Sequence, residues 1–69
     1  MKKEYIIFKK YNGLFDGYLW IVNNYHETTM WKQCATLLTL KQAQKICFDK
    51  NQELKKYFSY GTIWGYEKI

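Results

Sequence analysis

Only one stretch of this sequence has the spacing of an amphipathic helix, and the segments on either side of it read as β-strands. The helix signal begins at Thr39: in Thr39-Leu40-Lys41-Gln42 the threonine hydroxyl can accept the amide of Gln42, whose side chain can reach back, which makes a capping box. Apolar residues then recur at helical spacing, as Leu40, Ala43, Ile46, Cys47, Leu54, Tyr57 and Phe58. Polar residues interrupt this stripe near Asp49, so a break there is an alternative to one continuous helix, and Gly61 ends it.

Two strands precede the helix, with a hairpin signal between them. Tyr5 to Tyr11 and Gly17 to Val22 are rich in the aromatic and β-branched residues that favour strands. Asn12-Gly13 is typical of a two-residue hairpin turn, because both residues tolerate a positive φ. Asp16-Gly17 is a second turn signal close by. It leaves two alternatives: a kink or bulge in the returning strand, or a loop that spans residues 12–17.

The remaining segments complete an antiparallel sheet. Residues 23–27 are polar and read as a turn or loop, residues 28–32 as a short third strand, and residues 35–38 as a fourth strand or an extended lead-in to the helix. Residues 62–69 read as the closing strand. The sequence thus predicts a single α+β domain over residues 1–69, with an antiparallel sheet of three or four strands and one helix in the order β-β-β-α-β.

The strands carry apolar residues on both faces, whereas a sheet with one wet face alternates apolar and polar residues. In the first strand, Ile6 and Phe8 point to one face and Tyr5, Ile7 and Tyr11 to the other. In the second, Tyr18, Trp20 and Val22 lie opposite Leu19 and Ile21. In the last, Trp64 and Tyr66 lie opposite Ile63 and Ile69. A helix is about 10–12 Å across and strands lie about 4.8 Å apart, so one helix covers roughly two or three strands on one face and nothing on the other. We therefore expect an exposed apolar patch, which usually marks an interaction site. The alternative is that the tyrosines form ordinary surface with their hydroxyls in water.

No group of catalytic or metal-binding residues stands out. His26 is the only histidine and Ser59 the only serine, and neither has the neighbours that a general base or a nucleophile requires. A zinc site would need ligands in addition to His26, Cys34 and Cys47, and Cys47 falls on the apolar stripe of the helix. A chain of 69 residues has room for one core, which favours binding over catalysis. We expect a protein that is not an enzyme and has no cofactor or metal; a small ribonuclease toxin is the enzymatic alternative.

The chain is basic, with a net charge of +5 from eleven lysines and six acidic residues, and it has no arginine. Arginine reads guanine edges and grips phosphate with two donors, whereas lysine offers a single point charge. A nucleic-acid partner would therefore be bound without sequence specificity, by lysines around aromatic rings on which the bases of a single strand stack. The alternative is that the lysines reflect coding bias and solubility.

The sequence also limits the expected location. Residues 1–4 lead into a strand-like segment without a signal-peptide pattern, and no apolar run approaches the ~18–20 residues of a membrane span. We expect a cytoplasmic protein with both thiols reduced and no membrane contact.

A Tyr/Phe-rich hairpin with Asn12-Gly13 at its turn is followed along the chain by a regular set of residues, namely Trp31, Ala35, Leu38, Thr39 and Ala43. This arrangement resembles small phage and prophage accessory proteins, in which such a hairpin precedes a tryptophan, an alanine, a short apolar run, a threonine or serine cap and a helix. The resemblance implies a phage-borne protein in the host cytoplasm that binds and blocks a host enzyme or a defence complex. The positive charge argues against mimicry of DNA.

The candidate binding residues are aromatic and basic side chains of the predicted strands, namely Tyr18, Trp20, Trp64, Tyr66, Tyr11, Lys9 and Lys10. Tyrosine and tryptophan are enriched where protein interfaces bind tightly. We expect these residues to occlude a host or defence protein. A single-stranded nucleic-acid binder and a homodimeric structural module are the alternatives.

Overall fold

The strand order places the first strand in the middle of the sheet. A computed structural model describes residues 2–57 and 60–69. The elements are β1 (Tyr5–Tyr11), β2 (Leu14–Val22), β3 (Tyr25–Thr29), helix α1 (Leu40–Lys56) and β4 (Thr62–Lys68). The four strands form one antiparallel sheet in the order β3-β2-β1-β4. The predicted α+β fold and the order β-β-β-α-β are confirmed. In the part of the chain that the structure describes, no helix is long and apolar enough to cross a membrane.

A two-residue turn joins β1 to β2. Asn12 has a φ of 50° and Gly13 a φ of 80°, both in the left-handed region. Tyr11 pairs directly with Leu14 across the turn. Of the two alternatives for this region, the short hairpin is therefore the correct one, and it forms because both turn residues adopt a positive φ at low cost.

The second turn signal is a β-bulge in β2. Lys10 pairs with Phe15, and Phe8 pairs with Tyr18, so β2 has one more residue than β1 between these two pairs. Gly17 has a φ of +121°, which a glycine adopts more readily than other residues. The bulge turns Phe15 and Tyr18 to the same face of the sheet, although their spacing in sequence is odd.

The third strand begins earlier than predicted. Asn23 and Asn24 have φ values of 48° and 67°, and they form the turn from β2 to Tyr25–Thr29. The prediction is therefore correct for the turn at Asn23-Asn24 and for Thr28 and Thr29 in the strand. It is wrong for residues 25–27, which belong to the strand, and for residues 30–32, which lie beyond its end. The polar residues that indicated a loop belong to an edge strand, where polar side chains facing water are normal.

Residues 35–38 are an extended lead-in to the helix that enters the plane of the sheet. Leu38 exchanges two backbone hydrogen bonds with Tyr5, of 2.8 and 2.9 Å. The amide of Thr36 donates to the carbonyl oxygen of Leu19 at 3.1 Å. This segment thus bonds to both β1 and β2 at the end of the sheet where Tyr5 lies, and it fills the gap between them.

Helix α1 begins with the predicted capping box. The amide of Gln42 donates to the Thr39 hydroxyl at 3.2 Å, and the amide of Thr39 donates to the Gln42 side chain at 3.0 Å. The helix continues through Asp49 without a break. Tyr57 lies past its end and is exposed, and Phe58 lies outside the described residues.

The core lies between α1 and the sheet. Its buried members are Ile7, Leu19, Leu38, Ala43 and Cys47, with Tyr5, Ile21, Ile46 and Trp64 packed around them. The helix contacts β1 and β4, so it covers one half of one face, as its width predicts.

Asn51 protects the outer edge of β4. Its side-chain amide accepts a hydrogen bond from the backbone N–H of Trp64 at 2.9 Å and donates one to the carbonyl oxygen of Trp64 at 3.0 Å. The asparagine thus pairs with an edge residue much as a neighbouring strand would. Covered edges of this kind are less prone to pair with other chains.

Candidate functional site

The register of the strands assigns every side chain to one of two faces. Ile7 of β1 packs against the helix, so the alternate residues of β1 point away from it. Residues that pair across neighbouring strands point to the same face, so the register extends this face, opposite the helix, over the whole sheet. We call it the open face; it consists of Ile6, Phe8, Lys10, Phe15, Tyr18, Trp20, Val22, Tyr25, Glu27, Thr29, Ile63, Gly65 and Glu67.

Four aromatic side chains, which we call the aromatic cluster, lie next to one another on the open face: Phe8, Phe15, Tyr18 and Trp20. The rings of Phe15 and Tyr18 are tilted at 56° with centroids 4.7 Å apart. Phe15 is 43% exposed and Trp20 is 42% exposed. The ammonium of Lys10 lies 5.6 Å from the centroid of Phe8. The cluster is thus a partly solvent-exposed aromatic surface with the ammonium of Lys10 beside it.

A glycine lies beneath one of the rings of the aromatic cluster. A Cβ at Gly65 would lie 2.7 Å from Cζ of Phe8, closer than any side chain tolerates. The Phe8 ring therefore rests directly on the backbone of β4.

At the other end of the open face, residues 32–37 approach the sheet and leave a cleft of about 520 Å³. The cleft is lined by Ile6, Lys32, Gln33, Ala35, Leu37 and Ile69. The ammonium of Lys32 lies 3.7 Å from a carboxylate oxygen of Glu67, and Ile6 is only 1% exposed. The expectation that nothing covers this face is therefore wrong at the Ile6 end, and it holds only for the aromatic cluster.

The structure divides the predicted binding residues between the two faces. Those on the open face are Tyr18, Trp20 and Lys10. Those on the helix side are Tyr11, Lys9, Trp64 and Tyr66. Of these residues, Tyr18 and Trp20 belong to the aromatic cluster, and Lys10 lies beside it.

The rings on the helix side are held by intramolecular contacts. The indole of Trp64 has the ammonium of Lys50 at 4.7 Å and that of Lys9 at 5.6 Å from its centroid, and Lys9 also forms an ion pair of 3.4 Å with Asp16. Burial by the fold lowers the pKa of the Lys50 ammonium. These residues form a packed seam between helix and sheet, whereas Tyr11, on the same side, is 52% exposed.

Tyr66 is held in a similar way at the other end of β4. It forms an edge-to-face contact with Tyr5, with centroids 6.2 Å apart, and its hydroxyl accepts a hydrogen bond of 3.2 Å from Gln44. The ring thus joins β4 to β1 and to the helix.

The positive charge is concentrated on the helix. Helix α1 holds five lysines against Asp49 and Glu53, which gives +3 of the net +5. On the open face, Lys10 and Lys32, which lines the cleft, are balanced by Glu27 and Glu67. The aromatic cluster and the excess of lysine therefore lie on opposite sides of the sheet.

Sequence reasoning missed Phe8, Phe15 and Ile63 as parts of the site. Alternation within a strand showed which residues share a face of that strand, but it could not show which faces of different strands coincide. For Phe15 the signal was the glycine that follows it by two positions, which marks the bulge.

The residues considered for catalysis stay apart. His26 lies on exposed β3, and burial, followed by the charge of Lys50, lowers its pKa. Cys34 and Cys47 are not joined, and burial raises the pKa of Cys47 to about 11. Ser59 lies outside the described residues. Within residues 2–57 and 60–69, His, Cys, Asp and Glu side chains form no group of three that could hold a metal ion.

Comparisons with protein-family models, with curated proteins and with solved structures found no match to this chain.

Proposed function

We propose that this chain is a non-enzymatic binding protein that docks the aromatic cluster of its open face on another protein and occludes that protein's surface. The observation that carries this proposal is the position of four neighbouring aromatic rings on the face of the sheet opposite the helix. Tryptophan, tyrosine and phenylalanine in such a position are the residues around which protein interfaces form.

Exposure of these rings has an energetic cost that binding removes. An aromatic side chain buries on the order of 150–250 Å² in full, so Phe15 and Trp20, exposed by 43% and 42%, each leave roughly 100 Å² in water. At about 25 cal/mol per Å², covering each ring contributes roughly 2 kcal/mol. Two such rings together contribute roughly 4 kcal/mol toward contact with another protein.

The charge distribution supports a protein partner over a nucleic acid. A surface that stacks single strands has lysines along its rings, because each phosphate needs a cation near it. Here Glu27 and Glu67 share the open face with Lys10, while five lysines lie on the helix. The resemblance to phage accessory proteins supports a host enzyme or a defence complex as the partner.

A pull-down from host lysate with matched variants tests this proposal. The double variant Phe15→Ser/Trp20→Ser removes exposed rings from the open face, and Phe48→Ser/Tyr57→Ser removes two exposed rings from the helix and its end. We expect wild type and the helix variant to retain the same protein after nuclease treatment. The open-face variant is expected to retain at least tenfold less of it.

Salt separates the proposal from its nucleic-acid alternative. Aromatic docking is expected to weaken less than threefold between 0.1 and 1 M NaCl, whereas phosphate binding falls steeply. A partner that disappears on nuclease treatment, or that the open-face variant retains at the wild-type level, overturns the proposal.

A further inference from the structure

The open face carries opposite charges at two levels along its strands. Lys10 lies two residues from Phe8 on β1. Glu67 pairs with Ile6, which lies two residues from Phe8 in the other direction. Measured along the strands, Lys10 thus lies about 7 Å to one side of Phe8, and Glu67 lies about 7 Å to the other side.

This arrangement is complementary to itself. Consider two copies packed open face to open face and related by a two-fold axis that lies in the interface and crosses the strands at the level of Phe8. This axis brings the Lys10 level of one copy to the Glu67 level of the other. Each Lys10 then lies at the level of Glu67 in the second copy, and the contact occurs twice. Lys32 competes weakly for Glu67, because their 3.7 Å pair is exposed to water.

The same operation brings a protruding apolar side chain to an apolar cleft. Ile63 pairs with Lys10 on β4 and is 58% exposed. The two-fold axis moves it to the level of Glu67 on β4 of the second copy. There it lies beside the cleft of about 520 Å³ whose apolar lining includes Ile6, Leu37 and Ile69.

The size of the face matches a weak interface. Four strands about 4.8 Å apart, with residues spaced about 3.3 Å along them, give a face on the order of 15 Å by 20 Å. With upright side chains its accessible area is roughly 500 Å² per copy, so two faces bury about 1,000 Å², the lower limit for a specific contact. Such a contact is reversible and open to competition from another protein.

We propose that two copies of this chain pack open face against open face, with Lys10 of each against Glu67 of the other, and that this dimer covers the docking surface until a partner displaces the second copy. The dimer is inferred from the geometry alone, and its regulatory meaning rests on the proposed function. We expect a dissociation constant on the order of 10 μM, in keeping with a small interface.

Charge reversal tests the proposed pairing by sedimentation over 1 μM to 1 mM. Lys10→Glu alone and Glu67→Lys alone are each expected to weaken the dimer at least tenfold. An equimolar mixture of the two variants is expected to form a heterodimer within threefold of the wild-type constant, because both contacts are then between opposite charges. Rescue on mixing also shows that both variants fold. Lys41→Glu, on the helix, is the matched control and is expected to stay within twofold.

Three results overturn the inference: an 8.5 kDa monomer at 1 mM, a dimer that Lys10→Glu leaves unchanged, or variants that stay apart on mixing. A monomer that still captures a protein through its open face refutes only the dimer. A dimer that responds to charge reversal, with no partner that depends on the open face, refutes the proposed function and leaves the dimer standing.

Discussion

Replacing Asn51 with alanine is expected to destabilise the fold more than an ordinary helix-surface change. The side chain makes two partly buried hydrogen bonds to the backbone of Trp64, of 2.9 and 3.0 Å. A hydrogen bond contributes about 0.5–1.5 kcal/mol net, so both together contribute roughly 1–3 kcal/mol. Alanine is a better helix former than asparagine by about 0.5 kcal/mol, which offsets part of the loss. We expect the free energy of unfolding to fall by about 1–2 kcal/mol.

Urea unfolding measures this change directly. A domain of this size has a denaturant slope of about 1 kcal/mol per M, so the midpoint is expected to fall by roughly 1–2 M. Asn51→Asp keeps an acceptor for the N–H of Trp64 and loses the donor to its carbonyl oxygen. Its urea midpoint is therefore expected to lie between those of the wild type and Asn51→Ala. Gln44→Ala is the matched control, because it removes one exposed 3.2 Å hydrogen bond from the same helix.

Equal midpoints for Asn51→Ala and Gln44→Ala would refute the reasoning. They would mean that water replaces the asparagine at the edge of β4 without cost. Hydrogen exchange of the Trp64 amide gives a second readout, since loss of its acceptor is expected to speed exchange even where global stability changes little.

Four further predictions concern single residues. Gly65→Ala is expected to lower the free energy of unfolding by about 1 kcal/mol, because its Cβ would lie 2.7 Å from the ring above it; unchanged urea stability would contradict this. At pH 8 a thiol reagent is expected to modify Cys34 first, because a pKa of about 11 leaves roughly 0.1% of Cys47 as thiolate; equal labelling of the native protein would count against it. The fold holds the pKa of His26 below 6.5, because the neutral ring is favoured in the native state. The contribution of His26 to the free energy of unfolding is therefore expected to be complete above pH 6.5 and to be lost as the pH drops below it. Lys50→Gln is expected to raise the pKa of His26 part of the way back, as followed by NMR titration of the ring, and a pKa that does not rise would show that the lysine charge has no effect on it.

The elements that could be predicted from the sequence are those whose signals are local. Asn12-Gly13 and the Thr39–Gln42 capping box fix their backbone through bonds within four residues, and both form as expected. The third strand could not be placed, because its polar residues fit both a loop and an exposed edge strand. The φ values of Asn23 and Asn24 decide between them. Asparagine tolerates this conformation, but so do many loop residues.

The site was harder to predict than the fold, because it depends on register. Tyr18 and Trp20 share a face within one strand, and this much was evident from alternation. Whether Trp64 joins them depends on how β4 pairs with β1, and the pairing places it with the helix instead. The cover over Ile6 comes from residues distant in sequence, and such a contact leaves no pattern in either segment.

The central place of β1 has a consequence for synthesis. Its hairpin partner β2 follows at once, but its other neighbour arrives much later, since Tyr11 pairs with Thr62. While the ribosome is still adding the helix, the middle strand of the growing chain has one row of amide and carbonyl groups with no strand beside it. A message truncated before Thr62 would leave this row open for good. We therefore expect such fragments to aggregate or be degraded. In the full-length chain, we expect chaperones to be needed only until β4 leaves the exit tunnel.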